Sequence, residues 1–122
     1  MGKVVKKYPE AYSGLPGRFV KKIEHDLEYI CRRQLPGLCR VYLFGSAARG
    51  EVRSTSDIDM LIIVKENEKN RELAADIRWT LEEPINGVRT DVVYKYENYK
   101  SENSTFERNL SIDKKLILEI IE

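Results

Sequence analysis

Cysteine is nearly missing from this chain. It has two among 122 residues, alongside one histidine, one tryptophan, two methionines and four prolines. Cys31 and Cys39 have no metal-ligand spacing. They are expected to be reduced core thiols of a cytoplasmic protein. No stretch approaches the ~18–20 apolar residues of a membrane span. The opening "MGKVVKKYPEAY" is charged but lacks the apolar segment of a signal peptide. Lys6 stands where myristoylation would want Ser or Thr. There is no repeat and no low-complexity tract. Nor is there an excess of one charge: the net is +1, so the whole-chain balance gives no argument for direct nucleic-acid binding. The charge is uneven, however. Residues 1–40 carry nine Lys/Arg against four Asp/Glu, and the remainder carries twelve against sixteen. That reads first as a solvated basic helix, with a surface for an acidic partner or a nucleotide's phosphates as the alternative.

What is present is a hydrophobic fraction of 42% and a charged fraction of 34%. These belong to one soluble domain spanning 1–122, large enough to bury roughly 65–70% of its unfolded surface. Residues 1–14 show no sustained period and read as an irregular N-terminal segment. Phe19, Val20, Ile23, Leu27, Ile30 and Cys31 recur at helical spacing, and Pro36-Gly37 ends that helix. "RVYLF" (40–44) is a short strand closed by Gly45-Ser46, and Ala47-Ala48-Arg49 can start one helical turn. Residues 51–56 are loop-like, and Ile58–Val64 is a strand apolar on both faces, hence central in a covered sheet. A helix is expected over 68–83, with Leu73, Ala74, Ile77 and Leu81 on one face and Trp79 off it. A strand follows over 88–96, then a helix around 103–112. The last apolar segment, 115–121, reads as a strand, with a helix as the alternative. The order predicts an α/β or α+β domain with a mixed β-sheet flanked by helices.

One feature conflicts with this apolar pattern. Asp57 and Asp59 sit at the mouth of the most apolar strand. Residues i and i+2 of a strand share a face, with Cα atoms about 7 Å apart. Two such carboxylates repel unless a positive charge lies between them. Mg²⁺ suits them, taking one or two carboxylates plus phosphate oxygens and waters. Such ions serve the attacking and leaving oxygens of a phosphoryl displacement. A bare D-x-D is ordinarily a pair of exposed strand-end aspartates, but the upstream residues alter that. Gly45 lets the backbone approach a phosphate. Ser46 offers a hydroxyl and an N–H. Arg49 suits a phosphate or a structural ion pair near Asp57 or Asp59 equally well, whereas Arg53 reads as a solvated loop arginine. Asp91, in mid-strand where aspartate is disfavoured, is the candidate third carboxylate and the base for an acceptor hydroxyl.

Gly45-Ser46, ten residues, then Asp57-Ile58-Asp59 resembles the G-S-x10-D-x-D signature of the polymerase-beta-type nucleotidyltransferase superfamily. The fuller string "FGSAARGEVRSTSDIDMLIIV" is similar to its minimal nucleotidyltransferase branch, over roughly residues 38–96. The resemblance implies a small nucleotidyltransferase fold. Gly45 and Ser46, with Arg49, would hold the triphosphate of ATP. Asp57, Asp59 and Asp91 would bind one or two Mg²⁺ ions and carry catalysis. It also implies an antitoxin that pairs with an all-helical HEPN ribonuclease toxin and transfers AMP to one of its tyrosines. A homo- or hetero-oligomer would fit that role. Two alternatives stay open: transfer to a small-molecule acceptor, and a non-catalytic domain that binds nucleotide or partner without turnover. Arg18 and His25 have the R-x6-H spacing of the HEPN ribonuclease itself, but the expected strands argue against that all-helical fold.

Overall fold

The computed structural model describes residues 4–33, 38–65, 70–96 and 114–121. The first long element is α1 (Gly17–Arg32). Its inward stripe is Phe19, Ile23, Leu27 and Ile30, all at most 2% exposed. Lys22 and Asp26 lie in the same stripe and are also fully buried. Strand β2 (Cys39–Phe44) alternates buried and half-buried side chains along its length. A short helix, α2 (Gly45–Arg49), starts at the next residue and stops at Gly50, whose φ is 71°. Strand β3 (Ile58–Val64) then returns antiparallel to β2.

From β3 the chain passes through α3 (Arg71–Leu81) to β4 (Thr90–Tyr96), which pairs parallel to β3. A parallel neighbour requires such a crossover. Asn70 caps α3, its Oδ1 accepting the Leu73 N–H at 3.0 Å. The expected strand start at 88 moves to Thr90, because Val88 instead closes a tight turn with Ile85 across Asn86-Gly87. β5 (Lys115–Ile121) lies antiparallel to β2 on its other side, so the ambiguous last segment is a strand. The segment expected to be irregular at the start contains β1 (Val4–Lys7), an edge strand antiparallel to β5. Four residues reading V-V-K-K have no period to recognise, and the partner strand's open edge is what orders them. The sheet order is β1-β5-β2-β3-β4. The helix expected at 103–112 and the Pro36-Gly37 stop lie outside the described residues.

Helices α1 and α3 cover one side of the sheet. Ile58, Met60, Ile62 and Val64 of β3 point to that side and are fully buried. Each such side chain contributes about 1.5–3 kcal/mol on burial. On the opposite side Leu61 is 3% exposed, but Ile63 is only half-buried. The expectation of a strand buried on both faces therefore holds in full for one face. Among the described residues no helix is long and apolar enough to cross a membrane.

Candidate active site

The site forms where three strands come level. In the sheet register Asp59 of β3 lies between Phe44 of β2 and Asp91 of β4. A parallel, in-register pair puts both side chains on one face, so Asp59 and Asp91 stand side by side. Asp57 is two residues before Asp59 and shares that face. The sequence-predicted carboxylates are thus brought together at one end of the sheet, on the side away from α1 and α3.

Gly45 follows Phe44 directly and so arrives beside Asp59. Its φ of +66° is left-handed. A Cβ built there would collide with the Asp59 carboxylate, lying only 3.3 Å from Cγ. Glycine is therefore required twice over, by backbone conformation and by contact. Ser46, half-buried, follows in the first turn of α2.

The electrostatics are uneven. Burial pushes the Asp59 carboxyl above its ordinary value, the charges of Asp91 and then Asp57 push it further, and Arg49 opposes them. Arg49 Nε itself pairs with Glu51 at 3.2 Å. Of the two uses considered for Arg49, this contact is a structural ion pair, though with a loop glutamate. Arg53 is exposed, as expected of a loop arginine.

Sequence reasoning missed Arg89. Its Nη2 lies 3.2 Å from Asp91 Oδ1 and 3.4 Å from Asp57 Oδ2. The side chain is half-exposed. The signal was available: Arg89 precedes Asp91 by two residues, so the two share a face. Also missed was the polar cluster beneath the site. Asp26 Oδ2 accepts the Thr90 hydroxyl at 2.5 Å, and its Oδ1 accepts from Lys22 Nζ at 2.6 Å. Lys22 also donates to the Leu81 carbonyl at 2.7 Å. Burial raises the Asp26 carboxyl against the pull of Lys22. This cluster pins the start of β4, and hence Asp91, to both helices. Two opposite charges spaced i,i+4 within an apolar helix stripe were its sequence signal.

The loop leading to Asp57 is tied down from α1. Arg18 donates to the Ser54 carbonyl at 2.5 Å and to the Asn86 carbonyl at 3.4 Å. Arg18 thus has a structural task. His25 instead lines a shallow recess with Trp79, Thr80, Glu83 and Ile85.

In residue type the three carboxylates suit a hard divalent cation. Their excess charge, marked by the raised Asp59, points the same way. They do not close into a cage on their own: among the described residues no three His, Cys, Asp or Glu side chains are gathered tightly enough to hold an ion.

The family profile described as "Nucleotidyltransferase domain" matches residues 25–117. The chain belongs to this nucleotidyltransferase family. A relative from Methanocaldococcus jannaschii, provisionally described as a protein adenylyltransferase, is 33% identical over 92 residues, which is 66% of this chain and 90% of the relative. Among solved structures, a provisionally assigned nucleotidyltransferase of Sulfolobus solfataricus superposes with a TM-score of 0.57 at 27% identity, covering 91% of this chain and 87% of that one. A chain from a mutant structure of the toxin–antitoxin pair MntA-HpeT superposes with a TM-score of 0.51 at 20% identity, over 77% of this chain and 70% of that one. The mixed sheet of this nucleotidyltransferase is the fold of these solved structures. Its strands exclude the all-helical ribonuclease reading of Arg18 and His25.

Proposed function

We propose that this nucleotidyltransferase is a Mg²⁺-dependent protein adenylyltransferase that acts as the antitoxin of a HEPN-type ribonuclease. The observation that carries the catalytic part is the gathering of Asp57, Asp59 and Asp91 on one face, Asp59 level with Asp91, with Gly45 against Asp59. The G-S-x-A-R-G and S-D-I-D strings support the antitoxin part through their resemblance to the minimal nucleotidyltransferases. The description of the M. jannaschii relative supports AMP transfer to protein.

In this reading Asp57 and Asp59 hold the cation, with Asp91 as third carboxylate. When bound, the cation neutralises charge on the phosphates as the α-phosphorus is attacked. Gly45 presents bare backbone to the triphosphate, and Ser46 offers its hydroxyl and N–H. Arg49, at the end of α2, would turn from its pairing with Glu51 toward the phosphates. The acceptor hydroxyl oxygen attacks the α-phosphorus, a new O–P bond forms, and the bond to pyrophosphate breaks. Asp91 receives the hydroxyl proton.

The test is transfer of label from α-labelled ATP, with Mg²⁺, in the presence and absence of any helical HEPN-type protein found encoded beside this one. Label on a tyrosine of that neighbour, lost in Asp57→Asn, is the expected result. Tight binding of the neighbour without label would leave a non-catalytic inhibitor. Neither label nor binding would redirect the search to small-molecule acceptors.

A further inference from the structure

The half-exposed guanidinium of Arg89 spans two of the three carboxylates, at 3.2 Å from Asp91 and 3.4 Å from Asp57. It reaches them from the residue just before β4, whose carbonyl accepts the Ile58 N–H at 2.8 Å, so its backbone is tied to the start of β3. Asp59, level with Asp91 on the neighbouring strand, makes no ion pair with Arg89 among the described residues. The arrangement places a multivalent donor across two of the groups that a cation would need.

We propose that Arg89 is a built-in counter-cation: it bridges Asp57 and Asp91 in the cation-free protein and must release them for a divalent cation to bind. This rests on the reading that the three carboxylates hold a cation. Two consequences follow from one equilibrium. The bridge stabilises the cation-free protein by cancelling like-charge repulsion. The same bridge weakens cation binding, because a ligand must first displace what already occupies the site. A planar guanidinium presents several donors in a fixed fork, whereas an ammonium is a compact point charge. Lysine at this position keeps the charge but has no fork with which to serve both carboxylates.

Three readouts on the full chain test the proposal without use of activity. Mn²⁺ binding is counted by loss of the free-ion paramagnetic resonance signal, for the native protein, Arg89→Met, Arg89→Lys and Asp59→Asn. Arg89→Met is expected to bind Mn²⁺ about tenfold more tightly, the equivalent of about 1.4 kcal/mol. Arg89→Lys should fall between it and the native protein. Without Mn²⁺, Arg89→Met should melt at a lower temperature than the native protein, and saturating Mn²⁺ should close that gap. Unchanged or weaker Mn²⁺ binding in Arg89→Met would overturn the proposal. So would an Arg89→Lys protein indistinguishable from the native one beside a tighter Arg89→Met, since that means nearby charge rather than a bridge. If the native protein binds no better than Asp59→Asn, the cation reading itself fails and the proposal falls with it. If Asp59→Asn alone loses Mn²⁺ and the Arg89 variants match the native protein, only the proposal fails.

Discussion

Two polar clusters flank the start of β4, and they differ in every respect that matters. Thr90 points inward to Lys22 and Asp26, where each of the three groups has hydrogen-bond partners and none is exposed. Asp91, the next residue, points outward to Asp57, Asp59 and Arg89, where acid outnumbers base and the side chains stand about half in solvent. The inner cluster is balanced and dry. The outer one is left with surplus negative charge that burial and mutual repulsion make costly at Asp59. A cluster that satisfies itself has nothing to offer a ligand. A cluster held together under repulsion does, and here the balanced one holds the strained one in place.

Breaking the inner cluster should have the largest effect. Lys22→Met leaves Asp26 buried without its cation, and about 3–5 kcal/mol of stability should be lost in urea unfolding. The double variant Lys22→Met/Asp26→Leu should recover most of it. If the single variant alone is harmless, the ion pair is not what holds the inner cluster.

Neutralising the outer cluster should act oppositely on activity and stability. Asp57→Asn or Asp59→Asn should lower transfer at least about 100-fold, about 2.7 kcal/mol in barrier, while the protein still folds. Asp59→Asn should in addition melt higher than the native protein at neutral pH. The folded protein holds the Asp59 proton to higher pH than the unfolded chain does. The stability from that proton is complete in acid, below the ordinary carboxylate range, and is lost as pH rises through the raised value. The two melting curves should therefore converge on acidification. A native protein more stable than Asp59→Asn at neutral pH would contradict the surplus-charge account.

Glycine substitution sharpens the contrast further. Gly45 and Gly50 both have left-handed backbone, but nothing lies within 4 Å of a Cβ at Gly50. Gly50→Ala should lose only the conformational cost, about 1–2 kcal/mol. Gly45→Ala should lose more and should also weaken Mn²⁺ binding, since the Asp59 carboxylate has to move. Equal losses at the two positions would mean that Gly45 serves the backbone alone. The smallest effect is expected at Trp79, 80% exposed on α3. Trp79→Ser should change stability by less than about 0.5 kcal/mol. If it nonetheless abolishes capture of the neighbouring protein, α3 forms part of that interface.

Periodicity was enough for the long elements. The stripe Phe19–Ile30, the run Ile58–Val64 and the helix through Leu73, Ile77 and Leu81 each repeat long enough to be read. Gly45-Ser46 and the D-x-D spacing were legible because they are local in the chain. β1 was not, since its order comes from the edge of β5. Lys22 and Asp26 were absorbed into an apolar helix reading because their partners, Leu81 and Thr90, lie 59 and 64 residues away.

By itself the sequence determined which residues could carry the chemistry: alternation fixes that Asp57 shares a face with Asp59, and Arg89 with Asp91, wherever those strands go. Only the tertiary structure decided that these two pairs meet. The parallel register of β3 and β4 sets Asp59 level with Asp91. The turn out of β2 carries Gly45 against Asp59. Register between distant strands depends on packing of the whole core, in particular the fit of α1 and α3 over β3 and β4, and no local stretch of chain encodes it.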